Sequence, residues 1–248
     1  ELVYVTPNAK GMGFYKDFIV VQLIKSMGCK VIAHYHNTGV SLRQDRFLDN
    51  LLYRKFFKNI KVILLADVLY QDMSRYVSRK NVYICPNGIP EIGLDPKIMA
   101  QDRPVLHLLF LSNLLEAKGV FVLLDALKIL KEKGFSFICS YVGGETNDVD
   151  KDRFNQELLR RGLEDCVRYN GSKFGEAKLQ EYANADIFVF PSLNEAFPLV
   201  LLEAMQFRLP VVASNVGGVA DIVKDGETGF IVPPGNPLAL SEKIAVLL

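Results

Sequence analysis

Short apolar runs of strand length alternate along the chain with longer segments that have the period of about 3.6 residues typical of amphipathic helices. This alternation predicts βα units around mainly parallel sheets. In the first half, strands are predicted at 2–5, 31–35, 62–65 and 82–85, and helices at about 13–27, 41–58 and 68–79.

The same pattern restarts after a proline-rich interruption. Four of the chain's 11 prolines fall between Pro86 and Pro104, so we predict a linker at 86–103. Beyond it, strands are predicted at 105–111, 137–142, 167–169, 187–190, 211–214 and 230–232, and helices at about 119–133, 151–162, 175–184, 198–207, 217–224 and 237–248. The chain is thus predicted to be an α/β protein with two Rossmann-like domains, 1–103 and 104–248. Ligands are expected beyond the carboxyl ends of the strands and between the domains.

Composition agrees with a folded protein and narrows its partners. Of the 248 residues, 50% are apolar and 23% are charged, which excludes a disordered or low-complexity chain. The net charge of +1 provides no field that would gather nucleic acid, although residues 1–103 are net basic and residues 104–248 net acidic. The cysteines are scattered without metal-site spacing, which predicts reduced core thiols. They are Cys29, Cys85, Cys139 and Cys166.

Several common catalytic motifs are missing from the sequence. It has no phosphate-binding P-loop, no G-x-G-x-x-G after a strand and no G-x-S-x-G elbow. Asp148, Asp150 and Asp152 could supply oxygen ligands to Mg²⁺, but they stand where a helix is predicted to begin, and Asp commonly caps helices. We therefore expect no metal site. No apolar run approaches the roughly 18 residues that a membrane span needs.

The most informative stretch runs from residue 186 to residue 232. A predicted strand is followed by a loop and then by a helix whose first residue is predicted to be Pro198, where a missing N–H costs nothing. The amides of its first turn would form an anion site suited to a diphosphate. Glu195 precedes this helix and Glu203 lies within it, so both carboxylates can face one ligand and accept the vicinal hydroxyls of a sugar or a ribose.

Both glutamates have a plainer alternative. Glu195 could cap the helix, and Glu203 could be a surface charge. Because Glu203 is flanked by Leu202, Ala204 and Met205, its helix is predicted to be buried, and a carboxylate there needs a partner. A functional role is therefore favoured for Glu203 and more weakly for Glu195.

A series of motifs carries a family resemblance. Glu195 and Glu203, with seven residues between them, are followed by the segments 210–214, 217–218, 225–226 and 229–232, and preceded by 111–119, 142–144 and 167–171. This arrangement resembles the C-terminal domain of the retaining glycosyltransferases of family four, which have the GT-B fold. The segments 32–36 and 86–89 are similar to the later part of the family's N-terminal domain and its linker. The resemblance covers nearly all of the chain and implies a protein truncated at both ends.

The resemblance implies roles for individual residues. Glu195 would contact the donor sugar, and Glu203 the ribose hydroxyls. Lys118 matches a lysine that neutralises the diphosphate leaving group. Asn113 stands where the family usually has an arginine, which leaves one charge where two are common. The remaining predicted nucleotide-site residues are those of the glycine loop and the helix start: Gly143, Ala196, Phe197, Pro198 and Leu199.

Two features of the first half are open to two interpretations. His36 aligns with a family histidine that faces the donor sugar, but a histidine at a strand end can equally bond the backbone. The segment 41–58 is basic and aromatic and could rest on a membrane that carries a lipid-linked acceptor. A solvated helix face over an aromatic core stripe is the favoured interpretation.

The resemblance implies a metal-independent enzyme that moves a sugar from a UDP- or GDP-sugar to a glycan or lipid-linked acceptor with retention at the anomeric carbon. It would need no cofactor besides the donor substrate. We expect a cytoplasmic location, with peripheral contact at the inner face of the membrane as a further option. Two alternatives remain open: a nucleotide-sugar-binding module without turnover, and a GT-B-fold epimerase acting on the nucleotide sugar.

Overall fold

The computed structural model describes residues 1–92 and 104–248, which form two compact units. One unit comprises Glu1–Asn87 with Glu195–Phe197, and the other comprises Gly88–Asn194 with Pro198–Leu248. Most of the predicted linker, from residue 93 to residue 103, lies outside the described residues. The predicted domain boundary after residue 103 therefore stays a prediction.

The first unit contains a four-stranded parallel sheet with the strand order β1-β2-β3-β4. Its strands are β1 (Leu2–Val5), β2 (Lys30–Tyr35), β3 (Lys61–Leu64) and β4 (Val82–Ile84), and its α-helices are α1 (Gly11–Ser26) and α2 (Phe47–Phe57). The two helices pack through an aromatic cluster, in which the ring centroid of Phe14 lies 4.5 Å from that of Tyr53 and 5.5 Å from that of Phe56. The Tyr15 hydroxyl also donates to the buried Asp49 carboxylate at 2.7 Å.

Two predicted helices of this unit are wrong in part or in full. The segment predicted as one helix over 41–58 divides into a 3₁₀ turn at Ser41–Arg43 and α2. The segment predicted at 68–79 forms no α-helix and instead contains a 3₁₀ turn at Asp67–Asp72. The Asp72 carboxylate accepts hydrogen bonds from the backbone N–H groups of Gly39, Val40 and Ser41. These tertiary bonds fix the segment in a shape that its helical period does not reveal.

The second unit contains a six-stranded parallel sheet with the order β10-β9-β8-β5-β6-β7. Its strands are β5 (Leu106–Leu111), β6 (Phe137–Val142), β7 (Val167–Tyr169), β8 (Ile187–Phe190), β9 (Val211–Ser214) and β10 (Gly229–Val232). Its helices are α3 (Val120–Glu132), α4 (Lys151–Arg161), α5 (Gly175–Ala183), α6 (Leu199–Gln206), α7 (Val219–Ile222) and α8 (Pro237–Leu247). This is the doubly wound Rossmann order, in which the direction of winding reverses between β5 and β8.

Burial explains why the strands were recognisable from the sequence. Every residue of β8 and β9 is buried, as expected for central parallel strands covered on both faces. One face packs under residues such as Leu123 and Leu127, and the other under residues such as Leu201 and Ala204. The predicted bounds of all ten strands agree with the structure to within one residue.

The four cysteines are free thiols, but they are not all core residues. Cys139 is buried, and burial raises the pKa of its thiol well above the usual value. Cys29 and Cys166 are half-buried, and Cys85 is exposed at the end of β4. The prediction of core thiols is therefore wrong for Cys85, because β4 ends at Ile84 and its last two residues are already exposed to solvent.

Candidate functional site

The strand order reverses between β5 and β8, and ligands of doubly wound sheets bind at such a point, beyond the carboxyl ends of the strands; we call this place the crevice. The loop after β5 carries Asn113 and a 3₁₀ turn at Glu116–Lys118, and the loop after β8 leads to α6. The topology therefore brings the turn with the predicted lysine beside the start of the loop that leads to the two predicted glutamates.

Close backbone packing holds these two loops together. Gly119 has a φ of +75°, and a Cβ added to it would lie 2.0 Å from the carbonyl oxygen of Pro191. The backbone N–H of Leu193 donates to the carbonyl of Ala117 at 2.9 Å. Lys118 lies between these contacts and is half-buried. Both contacts involve backbone groups, so the position of the Lys118 backbone is fixed without help from a side chain.

The glycine loop after β6 is fixed in the same way. A Cβ on Gly143 would lie 1.8 Å from the carbonyl oxygen of Ser112, so no other residue fits there without movement of the backbone. The N–H of Gly143 donates to the carbonyl of Gly171 at 3.0 Å, and the N–H of Gly144 donates to Oδ1 of Asn113 at 3.1 Å. Asn113 therefore supplies an acceptor that supports the glycine loop. An arginine has only donors and could not do so.

The start of α6 presents backbone donors, and its N-cap residue is a proline. Pro198 is the N-cap residue with φ −77° and ψ 112°, and the helix begins at Leu199. The prediction that Pro198 is the first helical residue is thus wrong by one position, because its ψ is extended. Pro198, as the N-cap residue, supplies no side-chain hydrogen bond to this N-terminus. Phe197 and Pro198 are buried, whereas Leu199 is 39% exposed.

The two predicted glutamates occupy different settings. Glu195 and Ala196 are half-buried and lie in the loop between β8 and α6. Glu203 lies inside α6, with a side chain that is 18% exposed. Its Oε1 accepts from Nζ of Lys178 and its Oε2 from the hydroxyl of Tyr182, each at 2.7 Å. Glu203 is therefore a partnered carboxylate rather than an unpartnered surface charge, and its role toward ribose stays a prediction.

The three aspartates considered as metal ligands have structural partners. Asp150 is the N-cap of α4 and accepts from the N–H of Arg153 at 2.8 Å. Asp148 accepts from the N–H of Glu116 at 2.8 Å, and the guanidinium of Arg153 pairs with both Glu116 and Asp148. Within residues 1–92 and 104–248 no group of three or more His, Cys, Asp or Glu side chains is arranged to hold a metal ion. That the reaction needs no metal stays a prediction.

His36, which belongs to the first unit, lies directly after β2 and is exposed. Its ring centroid is 4.2 Å from that of His34, which is only 8% exposed. Nδ1 of His34 lies 2.6 Å from the hydroxyl of Tyr4. Burial, and to a smaller extent the neighbouring His36, lowers the pKa of His34. Sequence reasoning did not single out His34, although two histidines at alternate positions of one strand end were a signal that could have found the pair.

A cavity of about 450 Å³ lies away from the crevice, at the amino ends of β9 and β10. Its lining includes Arg208, Pro210, Thr228 and Phe230. None of the predicted site residues lines it. Because loops at the amino ends of parallel strands lie on the opposite edge of the sheet, this cavity is separate from the predicted site.

Known proteins resemble this chain in sequence. The glycosyltransferase AmsK of amylovoran biosynthesis in Erwinia amylovora is 28% identical over 239 residues, which are 91% of this chain and 56% of AmsK. The putative glycosyltransferase WcaL of colanic acid biosynthesis in Escherichia coli is 24% identical over 224 residues, covering 87% of this chain and 54% of WcaL. The chain thus spans about half the length of these curated relatives.

The fold and the family follow from two further matches. The crystal structure of Anabaena HepE in complex with UDP superposes with a TM-score of 0.82 at 22% identity, covering 99% of this chain and 68% of HepE. This likeness confirms the predicted GT-B fold. The model of the family "Glycosyl transferases group 1" matches residues 97–248, more than half of the chain. The chain therefore belongs to the glycosyl transferases group 1 family.

Proposed function

We propose that the chain forms the nucleotide-sugar-binding part of a retaining glycosyltransferase that transfers a sugar from a UDP- or GDP-sugar to a glycan or lipid-linked acceptor in polysaccharide synthesis. The observation that carries the proposal is the reversal of strand order between β5 and β8, where the turn with Lys118, the loop before α6 and the α6 N-terminus follow neighbouring strands. The names of AmsK and WcaL place those relatives in polysaccharide biosynthesis, and HepE was crystallised with UDP-glucose.

The proposed reaction breaks the bond between the anomeric carbon and a diphosphate oxygen, which keeps the electron pair. The acceptor hydroxyl oxygen forms the new bond to that carbon, and its proton passes to the departing diphosphate or to solvent. Negative charge therefore grows on the diphosphate as the bond breaks. A cation and backbone N–H groups already aimed at this position lower the barrier, since they need no reorganisation during the reaction. Lys118 and the first turn of α6 fit that role.

Recognition of the donor falls to the carboxylates and the glycine loop. Glu203 would accept the ribose hydroxyls, Glu195 would accept hydroxyls of the sugar, and His36 would face the sugar from the acceptor-side domain. Gly143 packs the glycine loop against the Ser112 carbonyl and so would hold the backbone of this loop in place for a phosphate or nucleobase. Asn113 adds no positive charge, so Lys118 alone replaces the pair of cations common in the family. We propose that this suffices without a metal ion.

Calorimetric titration of UDP, GDP and their sugars into the chain and its Glu203→Ala variant tests the ribose assignment. Loss of hydrogen bonds to a charged acceptor is expected to weaken binding about 10-fold or more. The matched control is Glu227→Ala, which removes an exposed carboxylate at the opposite edge of the sheet and is expected to leave the affinity unchanged. Unchanged affinity in Glu203→Ala would contradict the assignment of Glu203 to the ribose.

Asn113 favours one competing function, a module that binds nucleotide sugars without turnover, because the leaving group would be stabilised by one side-chain cation. A transfer assay with the full-length gene product and a mixture of candidate acceptors separates the two. Release of nucleoside diphosphate that depends on an acceptor supports the enzyme. Tight binding of the nucleotide sugar with no release supports the binding module.

Contact with a membrane surface is the last part of the proposal. On α2, Tyr53, Phe56 and Phe57 are buried, as the core-stripe interpretation predicts. Phe47 and Leu51 are nevertheless 87% and 55% exposed on the outer face. Exposed basic residues on the same helix and its flanks could bind anionic lipid. They are Arg46, Arg54, Lys55 and Lys58.

Among the described residues no helix is both long and apolar enough to cross a membrane. Any membrane contact of this part of the chain would therefore be peripheral. Flotation with anionic and with neutral vesicles tests it, comparing wild type with Phe47→Glu. Retention by anionic vesicles that the substitution abolishes supports the contact, and no flotation of wild type contradicts it.

A further inference from the structure

Two side chains of α5 reach the same carboxylate on α6. Lys178 and Tyr182 are four residues apart and therefore lie on one face of α5. Nζ of Lys178 lies 2.7 Å from Oε1 of Glu203, and the Tyr182 hydroxyl lies 2.7 Å from Oε2. Each oxygen of Glu203 thus has its own donor, and rotation of the carboxylate about its last bond would break both contacts.

The arrangement leaves acceptor positions on Glu203 for a ligand. An ionised carboxylate has about four acceptor positions, of which Lys178 and Tyr182 occupy two. The remaining two, one on each oxygen, match the spacing of two hydroxyls on adjacent carbons. Because two donors already fix the plane of its carboxylate, Glu203 loses little further side-chain freedom when it binds a vicinal diol.

The two donors differ in how firmly they are held. Tyr182 is fully buried, and its ring stacks on that of Phe207 with 5.3 Å between centroids. Burial and the adjacent Glu203 raise the pKa of Tyr182, so the hydroxyl stays protonated and can only donate to the carboxylate. The side chain of Lys178 is 28% exposed. Tyr182 is therefore the fixed donor, and Lys178 is the one that faces solvent.

The stability of α5 does not explain why residue 178 is a lysine. It is the fourth residue of α5, close to the helix N-terminus, where the helix dipole disfavours a positive charge. A cation at this unfavourable place is better explained by its action on Glu203.

We propose that Lys178 and Tyr182 are positioning residues that fix Glu203 for the ribose diol, and that Lys178 sets how strongly the site discriminates a ribonucleotide from its 2′-deoxy analogue. This inference rests on the proposed function, because it requires that a nucleotide binds beside Glu203. It adds Lys178 and Tyr182 to the proposed site, although neither needs to touch the nucleotide. It also predicts a measurable selectivity for the ribonucleotide over its 2′-deoxy analogue.

The test is calorimetry with UDP, GDP and their 2′-deoxy analogues on wild type, Lys178→Met, Lys178→Arg and Tyr182→Phe. For the nucleoside diphosphate that wild type binds, Lys178→Met is expected to weaken the ribonucleotide about five-fold and to leave the 2′-deoxy analogue almost unchanged. Lys178→Arg is expected to restore most of the discrimination, because it returns a cationic donor. Lys224→Gln, which removes an exposed lysine in the loop before β10, is the matched control.

The outcomes separate the two proposals. If wild type binds neither nucleotide, the proposed function fails and this inference falls with it. If wild type binds but Lys178→Met keeps its preference for the ribonucleotide, or loses affinity for both forms equally, Lys178 has no positioning role and the proposed function stands. Urea unfolding of each variant checks that the fold is retained, and Tyr182→Phe provides a second measurement should Lys178→Met prove unstable.

Discussion

The two parallel sheets hold the loops at their carboxyl ends by different means. In the second unit, the loops after β5, β6 and β8 are joined by backbone hydrogen bonds and by glycines pressed against carbonyl groups, as at Gly119 and Gly143. In the first unit, single polar side chains hold the corresponding loops. Asp72 binds the amides of residues 39–41, Asp17 binds the N–H of Asn8, and Asn37 binds the N–H of Ala9.

This difference has a physical consequence. A loop held mainly by glycine contacts and backbone bonds depends less on the side chains it carries, and so presents its amides at more constant positions. A loop fixed by one carboxylate changes shape when that residue changes. Under the proposed function, the first kind suits a donor diphosphate that is the same in every reaction. The second suits acceptors that differ between proteins.

The largest expected effect is on the glycine loop of the second unit. Gly143→Ala places a Cβ within 1.8 Å of the Ser112 carbonyl oxygen, so the backbone must move. We expect a loss of roughly 3 kcal/mol or more of unfolding free energy. Hydrogen exchange, read separately for the two units, measures it, because the units need not unfold together.

The control for that change is Gly162→Ala. Gly162 has a φ of +64°, but a Cβ there meets open space. Only the cost of the left-handed backbone remains, about 1 kcal/mol. Equal losses in the two variants would show that steric contact with Ser112 does not hold the loop.

A smaller effect is expected in the first unit. Asp72→Ala leaves the amides of Gly39, Val40 and Ser41 without their acceptor. Because Asp72 is half-buried and water can replace part of the bonding, we expect a loss of about 2 kcal/mol. Asp72→Asn, which keeps one oxygen acceptor, is expected to lose less. Faster exchange confined to residues 39–41 and their neighbours supports the contrast between the units, and a loss spread over both units contradicts it.

The smallest expected effect is a pH dependence of the first unit. Burial and His36 hold the pKa of His34 below its ordinary value, so the unfolded chain takes up a proton at this position more readily than the folded one. Stability of the first unit is therefore expected to be full above the unfolded pKa of about 6.5, and to fall as the pH decreases from there toward the lower folded pKa. Hydrogen exchange between pH 7.5 and 5.5 on wild type and His34→Gln measures it. A pH dependence that is identical in the two proteins would exclude His34 as its source.

Sequence reasoning found the parts of the candidate site that follow from local pattern. The N-terminus of α6 was readable from a strand, a loop and Pro198, to within one residue. The need of Glu203 for a partner followed from its apolar neighbours. The identity of that partner did not, because Lys178 and Tyr182 lie on another helix, more than twenty residues earlier in the chain. The supporting role of Asn113 was missed for the same reason.

The sequence by itself determined the α/β class and the bounds of the strands, because parallel strands buried on both faces read as continuous apolar runs. The GT-B fold followed from the resemblance of its motifs to a known family. It misjudged the segment 68–79, where bonds from Asp72 to a distant loop outweigh helical periodicity. Only the tertiary structure decided which side chains meet at the crevice and which glycines are obligatory. Those facts depend on strand order and on contacts between residues far apart in the chain, and neither leaves a periodic trace in the sequence.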